Sequence, residues 1–260
     1  MEPGSSPKPD RELAEQLVEL SSLTGGLAHE IRNPLSTLKV NLQLLDEELR
    51  RIEEPEGARR CDPLEIARRS RTRIATLLRE TDRLEQILQD FLRYVGRRDL
   101  TRFPYDLNDL IRELAEFYRP QARAGGIEFE VACTDAPLIC RVDPTYLKQA
   151  VLNLLINAQQ AMPDGGHMRL AAIGVPPARA RIEVVDSGPG IPAPQRTTIF
   201  DAYYSTRPGG TGLGLANARR IVREHGGSID VEDAAPHGAR FVIALDLADA
   251  TAAPASAPQE

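Results

Sequence analysis

A chain of 260 residues with a 42% apolar fraction is long enough for one or two domains with a sizeable core. Its net charge of −6 argues against general nucleic-acid binding, and its three cysteines, Cys61, Cys133 and Cys140, are an odd number without CxxC spacing. That leaves neither a zinc site nor a disulfide framework and fits a reduced compartment. No apolar run approaches the roughly 20 residues needed to span a bilayer, and MEPGSSPKPD has no signal-peptide core. The expectation is a soluble, cytoplasmic protein.

Residues 1–9, rich in Pro, Ser and Gly, read as disordered. A stripe then begins at Leu13 and runs through Leu17, Leu20, Thr24, Leu27 and Ile31, resuming at Leu35, Leu38, Leu42, Leu45, Leu49 and Ile52. Steps of three and four alternate except around Pro34, where the phase slips. Such a stripe predicts a long helix packed on other helices. Pro55, Gly57 and Pro63 break the pattern. Asp62-Pro63 reads as an N-cap with proline at the first helical position. A second stripe runs from Leu64 to Val95. Two long amphipathic helices with a short connection predict an antiparallel hairpin. Alone it buries its stripes poorly, so a homodimer forming a four-helix bundle is expected.

After residue 100 the texture changes. The patterns predict a helix over 106–123, strands over 127–133 and 137–142, and a helix from Asp143-Pro144 to about Met162. Strands over 167–175 and 179–186 and a Gly- and Pro-rich stretch over 187–212 follow. A helix over 213–225 and strands over 228–232 and 239–246 complete the order. Helices and strands do not strictly alternate, which favours an α+β sandwich over a doubly wound sheet. The tail from 249 reads as disordered.

Within GGLAHEIRNPLS (25–36), His29 lies about 200° around the helix from Leu27 and so points to solvent. Asn33 shares that face one turn on. Glu30 adjoins His29 and could accept its ring proton, the arrangement of an activated imidazole nucleophile. The plain alternative is one polar residue on a solvated face. In NLLINAQQAM (153–162), Asn153 and Asn157 share a face, and an asparagine oxygen suits Mg2+; a polar stripe is the alternative. In DSGPG (186–190), Asp186 ends a strand and could bind an exocyclic amine, with Gly188 and Gly190 admitting a ligand; an ordinary turn is the alternative. In GGTGLGLA (209–216), glycines run straight into a helix, whose N-terminal N–H groups bind phosphate. IFDAYYSTR (199–207) places aromatic residues ahead of Arg207.

In this order the five segments resemble the histidine, asparagine, first glycine, phenylalanine and second glycine boxes of the two-component sensor histidine kinases. AHEIRNPLS and NLLINAQQAM are most similar to the nitrogen-regulator-like branch. The resemblance spans roughly residues 10–248. It implies a dimerisation and phosphotransfer hairpin (10–99) and a Bergerat-type ATP-binding α/β sandwich (100–248), flanked by the segments 1–9 and 249–260. It implies that His29 takes the γ-phosphoryl group of ATP, that Glu30 is the general base, and that Asn33 positions water when phosphate is stripped from a response-regulator receiver. Asn157, with Asn153 nearby, is implied as the Mg2+ residue. Asp186 is implied to read the adenine amine and Gly188 and Gly190 to line the base pocket. Gly210, Thr211, Gly212, Leu213 and Gly214 are implied to hold the phosphates.

Three positions depart from the family pattern. Arg207 stands where lysine is common, Tyr203-Tyr204 where phenylalanines are usual, and Gln160 where many relatives have lysine. Phosphate neutralisation then falls on Lys148 or Arg207. No segment recognisable as a sensor precedes the first helix. The expected function is an autophosphorylating kinase-phosphatase; the competing reading is a catalytically silent dimeric adaptor that binds a receiver or another kinase.

Overall fold

The computed structural model describes residues 9–53, 62–96, 98–207 and 210–248. The expected disorder of residues 1–8 and of the tail from 249, and the break at Pro55 and Gly57, lie outside these residues, as do Cys61 and Gly209; Pro9, counted with the disordered segment, opens the first helix. The chain divides into two compact units. One holds the residues up to Val95 with Thr206–Thr211; the other holds Gly96–Ser205 and the chain from Gly212.

The first unit is the expected antiparallel hairpin of α1 (Pro9–Glu53) and α2 (Pro63–Val95). Its direction is fixed by cross-helix pairs: Glu48 meets Arg73 at 2.7 Å, and Glu30, earlier in α1, meets Arg83, later in α2. Asp62 caps α2, its carboxylate accepting the Leu64 N–H at 3.0 Å. The inward seam differs from the expected stripe. Leu23 is buried and Thr24 exposed; Pro34 is buried and Leu35 is 50% exposed. The covered positions Ile31, Pro34, Leu38, Asn41, Leu45 and Glu48 repeat in steps of three and four. Pro34 is therefore part of the seam. α1 runs through it unbroken, with the Ser36 and Thr37 hydroxyls donating back to the carbonyls of Arg32 at 2.9 Å and Asn33 at 3.3 Å. The expected phase slip is the seam itself passing through a residue that periodicity counts as a breaker.

The second unit is a two-layer α+β sandwich. Its sheet has the order β2-β4-β5-β7-β6, built from β2 (Ile127–Ala132), β4 (Gly166–Val175), β5 (Arg179–Asp186), β6 (Ser228–Asp233) and β7 (Ala239–Asp246). The β2–β4 pair is parallel and the other pairs are antiparallel. α3 (Leu107–Ala124), α4 (Pro144–Ala161) and α5 (Gly214–Glu224) supply the second layer. Tyr118, Leu147, Leu154, Leu155, Ile182 and Phe241 are fully buried in one shared core. Alternation along the strands leaves Glu128, Glu130, His167, Arg169, Arg179 and Arg181 exposed, away from that core.

A short strand, β1 (Phe103–Asp106), was not expected from sequence. It pairs antiparallel with β3 (Ile139–Val142) in a separate two-stranded sheet. Pro104 inside it suppresses the strand signal, and proline is tolerated there because the strand has only one partner. Asp143 caps α4 as expected, accepting the Thr145 N–H at 3.0 Å, and its other oxygen accepts the Thr101 N–H at 3.0 Å. Cys133 and Cys140 are free thiols, and burial pushes the Cys140 thiol up to about 12. Among the described residues no helix is long and apolar enough to cross a membrane.

Candidate functional site

On the hairpin, His29 and Asn33 lie on the exposed face of α1, as the helical angle requires. Glu30 is turned about 100° from His29, towards α2, and is partly covered. Its Oε2 lies 3.6 Å from the Arg83 guanidinium. Sequence reasoning missed Arg83, because a cross-helix partner of an antiparallel hairpin has no fixed spacing from the residue it meets.

In the second unit the site is built around the end of β5. Asp186 is 4% exposed, and its Oδ1 accepts N–H bonds from Gly188 at 2.9 Å and Ala239 at 3.2 Å. A buried carboxylate held by backbone donors is fixed in direction. The neighbouring glycines have a packing reason. A Cβ at Gly188 would stand 2.9 Å from Asp186 Oδ1 and 3.1 Å from the Ala161 side chain. Gly190 has φ +76°, in the left-handed region. Gly238 was not singled out from sequence, yet it has φ +119° and a Cβ there would run into the Asp186 carbonyl oxygen. Its only sequence signal is a glycine just before the last strand, which reads as a common turn.

On α4, Asn153 donates from Nδ2 to the Gly214 carbonyl at 3.0 Å, tying the helix to the first residue of α5. Asn157 is half-buried one turn further along the same face. α5 begins without a side-chain cap, so its first N–H groups are not satisfied by a capping residue. A Cβ built on Gly214 meets nothing within 4 Å, so there is open space beside this residue. Gly212 is required for another reason: it has φ +66°, and a Cβ would lie 2.5 Å from the Tyr203 backbone. Leu213 is buried beside it. The aromatic segment is anchored by Phe200, which packs edge-on against Phe241 at 6.3 Å between ring centres.

Arg207, Gly210 and Thr211 fall with the helical unit. There Thr211 Oγ1 donates to Asp90 at 2.9 Å, and the Gly210 N–H donates to the Arg207 carbonyl at 3.3 Å. Lys148 is placed on another face of the same helix. It lies about half a turn around α4 from Asn157, and its ammonium pairs with Glu113 of α3. Burial alone would raise the Glu113 carboxyl, but hydrogen bonds from Lys148 and Tyr105 hold it below its ordinary value. Lys148 thus fastens two helices and does not share the asparagine face.

An exposed histidine on a helical hairpin, and a buried aspartate and a glycine-led helix in the sandwich, are what a phospho-acceptor unit and a nucleotide-type unit would need. Comparison with known families agrees. Residues 19–97 match the His Kinase A (phospho-acceptor) domain, and residues 142–249 match the histidine kinase-, DNA gyrase B- and HSP90-like ATPase. The chain is 36% identical over 235 residues to the sensor histidine kinase ZraS of Klebsiella oxytoca, covering 90% of this chain and 47% of that protein. A solved mycobacterial sensor histidine kinase, MprB, aligns at 34% identity and TM-score 0.51, covering 56% of this chain and 98% of that one. The histidine kinase ThkA, solved in complex with the response regulator protein TrrA, aligns at 27% identity and TM-score 0.69, covering 92% and 65%. The chain belongs to the two-component sensor histidine kinases. It spans about half the length of the curated relatives it matches.

Proposed function

We propose that the chain is the catalytic core of an ATP-dependent protein histidine kinase. It phosphorylates its own His29 and passes the phosphoryl group to an aspartate of a separate response-regulator receiver. It also dephosphorylates that receiver. The observation that carries the reading is the exposed His29 of α1, followed by Glu30 and Asn33, in the same chain as the fixed Asp186 carboxylate and the open glycine start of α5. The intact chemistry of both units favours a kinase over a silent adaptor, and a receiver partner is supported by the complex of ThkA with TrrA.

One ring nitrogen of His29 attacks the γ-phosphorus, the bond from that phosphorus to the β-phosphate oxygen breaks, and ADP leaves. The proton on the other ring nitrogen passes to Glu30. Asp186 reads the adenine amine, with Gly188 and Gly190 forming the pocket around it. Gly210, Thr211, Gly212, Leu213 and Gly214 hold the phosphates, and Arg207 supplies positive charge where relatives carry lysine. The donor set fits Mg2+ through the neutral amide oxygen of Asn157, with Asn153 orienting the helix end beside it. When bound, the ion neutralises phosphate charge. ATP as donor places both units on the cytoplasmic side. Among the apolar residues that one hairpin leaves exposed, Leu35, Leu42 and Leu49 are covered in a homodimeric four-helix bundle.

Incubation of the purified chain with ATP and Mg2+ tests the reading. ADP should form with one phosphoryl group retained on the protein, and added receiver should discharge it. ATP consumption with no phosphoryl group on the protein contradicts it.

A further inference from the structure

Within the helical unit, the geometry around Glu30 is unlike that of the cross-helix pair Arg73–Glu48. Arg83 Nη2 stands 3.6 Å from Glu30 Oε2, and the two side chains are 31% and 21% exposed. That separation makes an ion pair but lies outside the hydrogen-bond range of about 2.7–3.2 Å. Further along the same hairpin, Arg73 Nη1 lies 2.7 Å from Glu48 Oε2 and donates to the Leu44 carbonyl at 2.6 Å, a hydrogen bond that fastens the two helices. Against Glu30 the fork stays open. Arg83 Nε is moreover buried without a hydrogen-bond partner. An unmet buried donor is destabilising, so Arg83 is poorly explained as a stabilising residue.

We propose that Arg83 is a positioning residue for Glu30. A glutamate on a helix surface has three rotatable side-chain bonds and spreads over many rotamers. The Arg83 charge confines the carboxylate to the edge of the seam, on the residue next to His29. Because no hydrogen bond is formed, the lone pairs of the carboxylate stay uncommitted and can accept the imidazole proton. A tight bidentate pair would hold the carboxylate better and also occupy the oxygens that the proton transfer needs. Arg83 thus acts through Glu30, and the proposal rests on the roles of His29 and Glu30 given above.

A double-mutant cycle tests it, with the full chain in five forms: wild type, Arg83→Met, Arg83→Lys, Glu30→Gln and the Arg83→Met/Glu30→Gln pair. The readouts are the initial rate of protein phosphorylation, the KM for ATP and the melting temperature. Arg83→Met keeps the aliphatic stem and should lower the rate about 10-fold, the effect expected of losing an outer partner of a reacting group. KM should stay within about 2-fold of wild type, because Arg83 does not act on ATP. Arg83→Lys should recover most of the rate. In the Glu30→Gln background, Arg83→Met should cost nothing further, since the group it positions is already gone. The melting temperature should not fall with Arg83→Met, because the unmet donor is removed. An unchanged rate in Arg83→Met overturns the proposal, and so do losses that multiply in the double variant. A loss of rate that tracks a loss of melting temperature also overturns it. A wild type that takes up no phosphoryl group is a different outcome: it removes the kinase reading itself.

Discussion

At the scale of single residues, the proposed function gives neighbours in sequence different chemistry. Glu30 and Asn33 stand on one helix within a turn of His29, but removing a proton from imidazole needs a base, whereas a water is held in line by a neutral amide that both donates and accepts. Glu30→Gln should therefore slow autophosphorylation by about 10²-fold or more. Asn33→Ala should leave it largely intact and impair receiver dephosphorylation. Assaying each half-reaction separately decides the matter; equal loss of both activities in both variants would show that the helix surface acts as one unit. In the second unit, two substitutions should separate ligand chemistry from architecture. Asn157→Asp should weaken Mg-ATP binding while leaving the melting temperature close to wild type, because Leu154, Leu155 and Ala158 carry the packing of α4. Gly238→Ala should lose both, since it forces a side chain onto φ +119° and against the Asp186 carbonyl. The strain alone is about 1–3 kcal/mol. Calorimetric titration and thermal unfolding of the two variants measure the contrast, and a stable Gly238→Ala protein that binds ATP would sink the role given to this glycine.

At the scale of elements, α4 shows how far sequence could be read. Its start was legible because Asp143-Pro144 is a local signal with a local consequence. The face bearing Asn153 and Asn157 was legible from helical spacing. The partner of Lys148 was not, since Glu113 lies on another helix 35 positions away. Helical angle alone separates Lys148 from Asn157 by about half a turn. β1 was hidden for a related reason: a four-residue strand containing proline carries almost no periodic signal, and its pairing with β3 is a tertiary fact. Pro34 is the converse case, a helix breaker in isolation that the seam of the hairpin buries. Likewise Arg83 and Gly238 matter through contacts that no motif spacing encodes. The Lys148 assignment is testable through linkage. Glu113 is held below its ordinary value in the fold, so its contribution is complete above the ordinary carboxylate range and is lost as pH falls through the lowered folded value. The pair is partly exposed, so Lys148→Met should cost under about 1 kcal/mol at neutral pH. The gap in melting temperature from wild type should close on acidification, and ATP affinity should not change. A large loss of ATP affinity would return Lys148 to the nucleotide site.

At the scale of the whole molecule, the proposed reaction is divided between the two units. In that proposal the helical unit presents the acceptor and its base, and the sandwich presents the adenine-reading carboxylate and the glycine start of α5. The hairpin also carries an unsatisfied apolar surface. Leu35, Leu42 and Leu49 recur every seven residues and are 50%, 54% and 51% exposed, the spacing of a helical seam that meets a further helix. Leu42→Glu should shift the protein from dimer to monomer in sedimentation equilibrium without unfolding the sandwich, and a wild type that is monomeric at micromolar concentration would contradict the bundle. The central claim, that this chain phosphorylates itself on one histidine, is tested most directly by locating the phosphoryl group after reaction with labelled ATP and Mg2+. The account predicts a label that is labile in acid and stable in base, maps to the peptide containing residue 29, and is abolished by His29→Gln while ATP affinity stays within about 2-fold, since that side chain contributes to acceptance and not to binding. Label of the same amount and lability on the His29→Gln protein would contradict it.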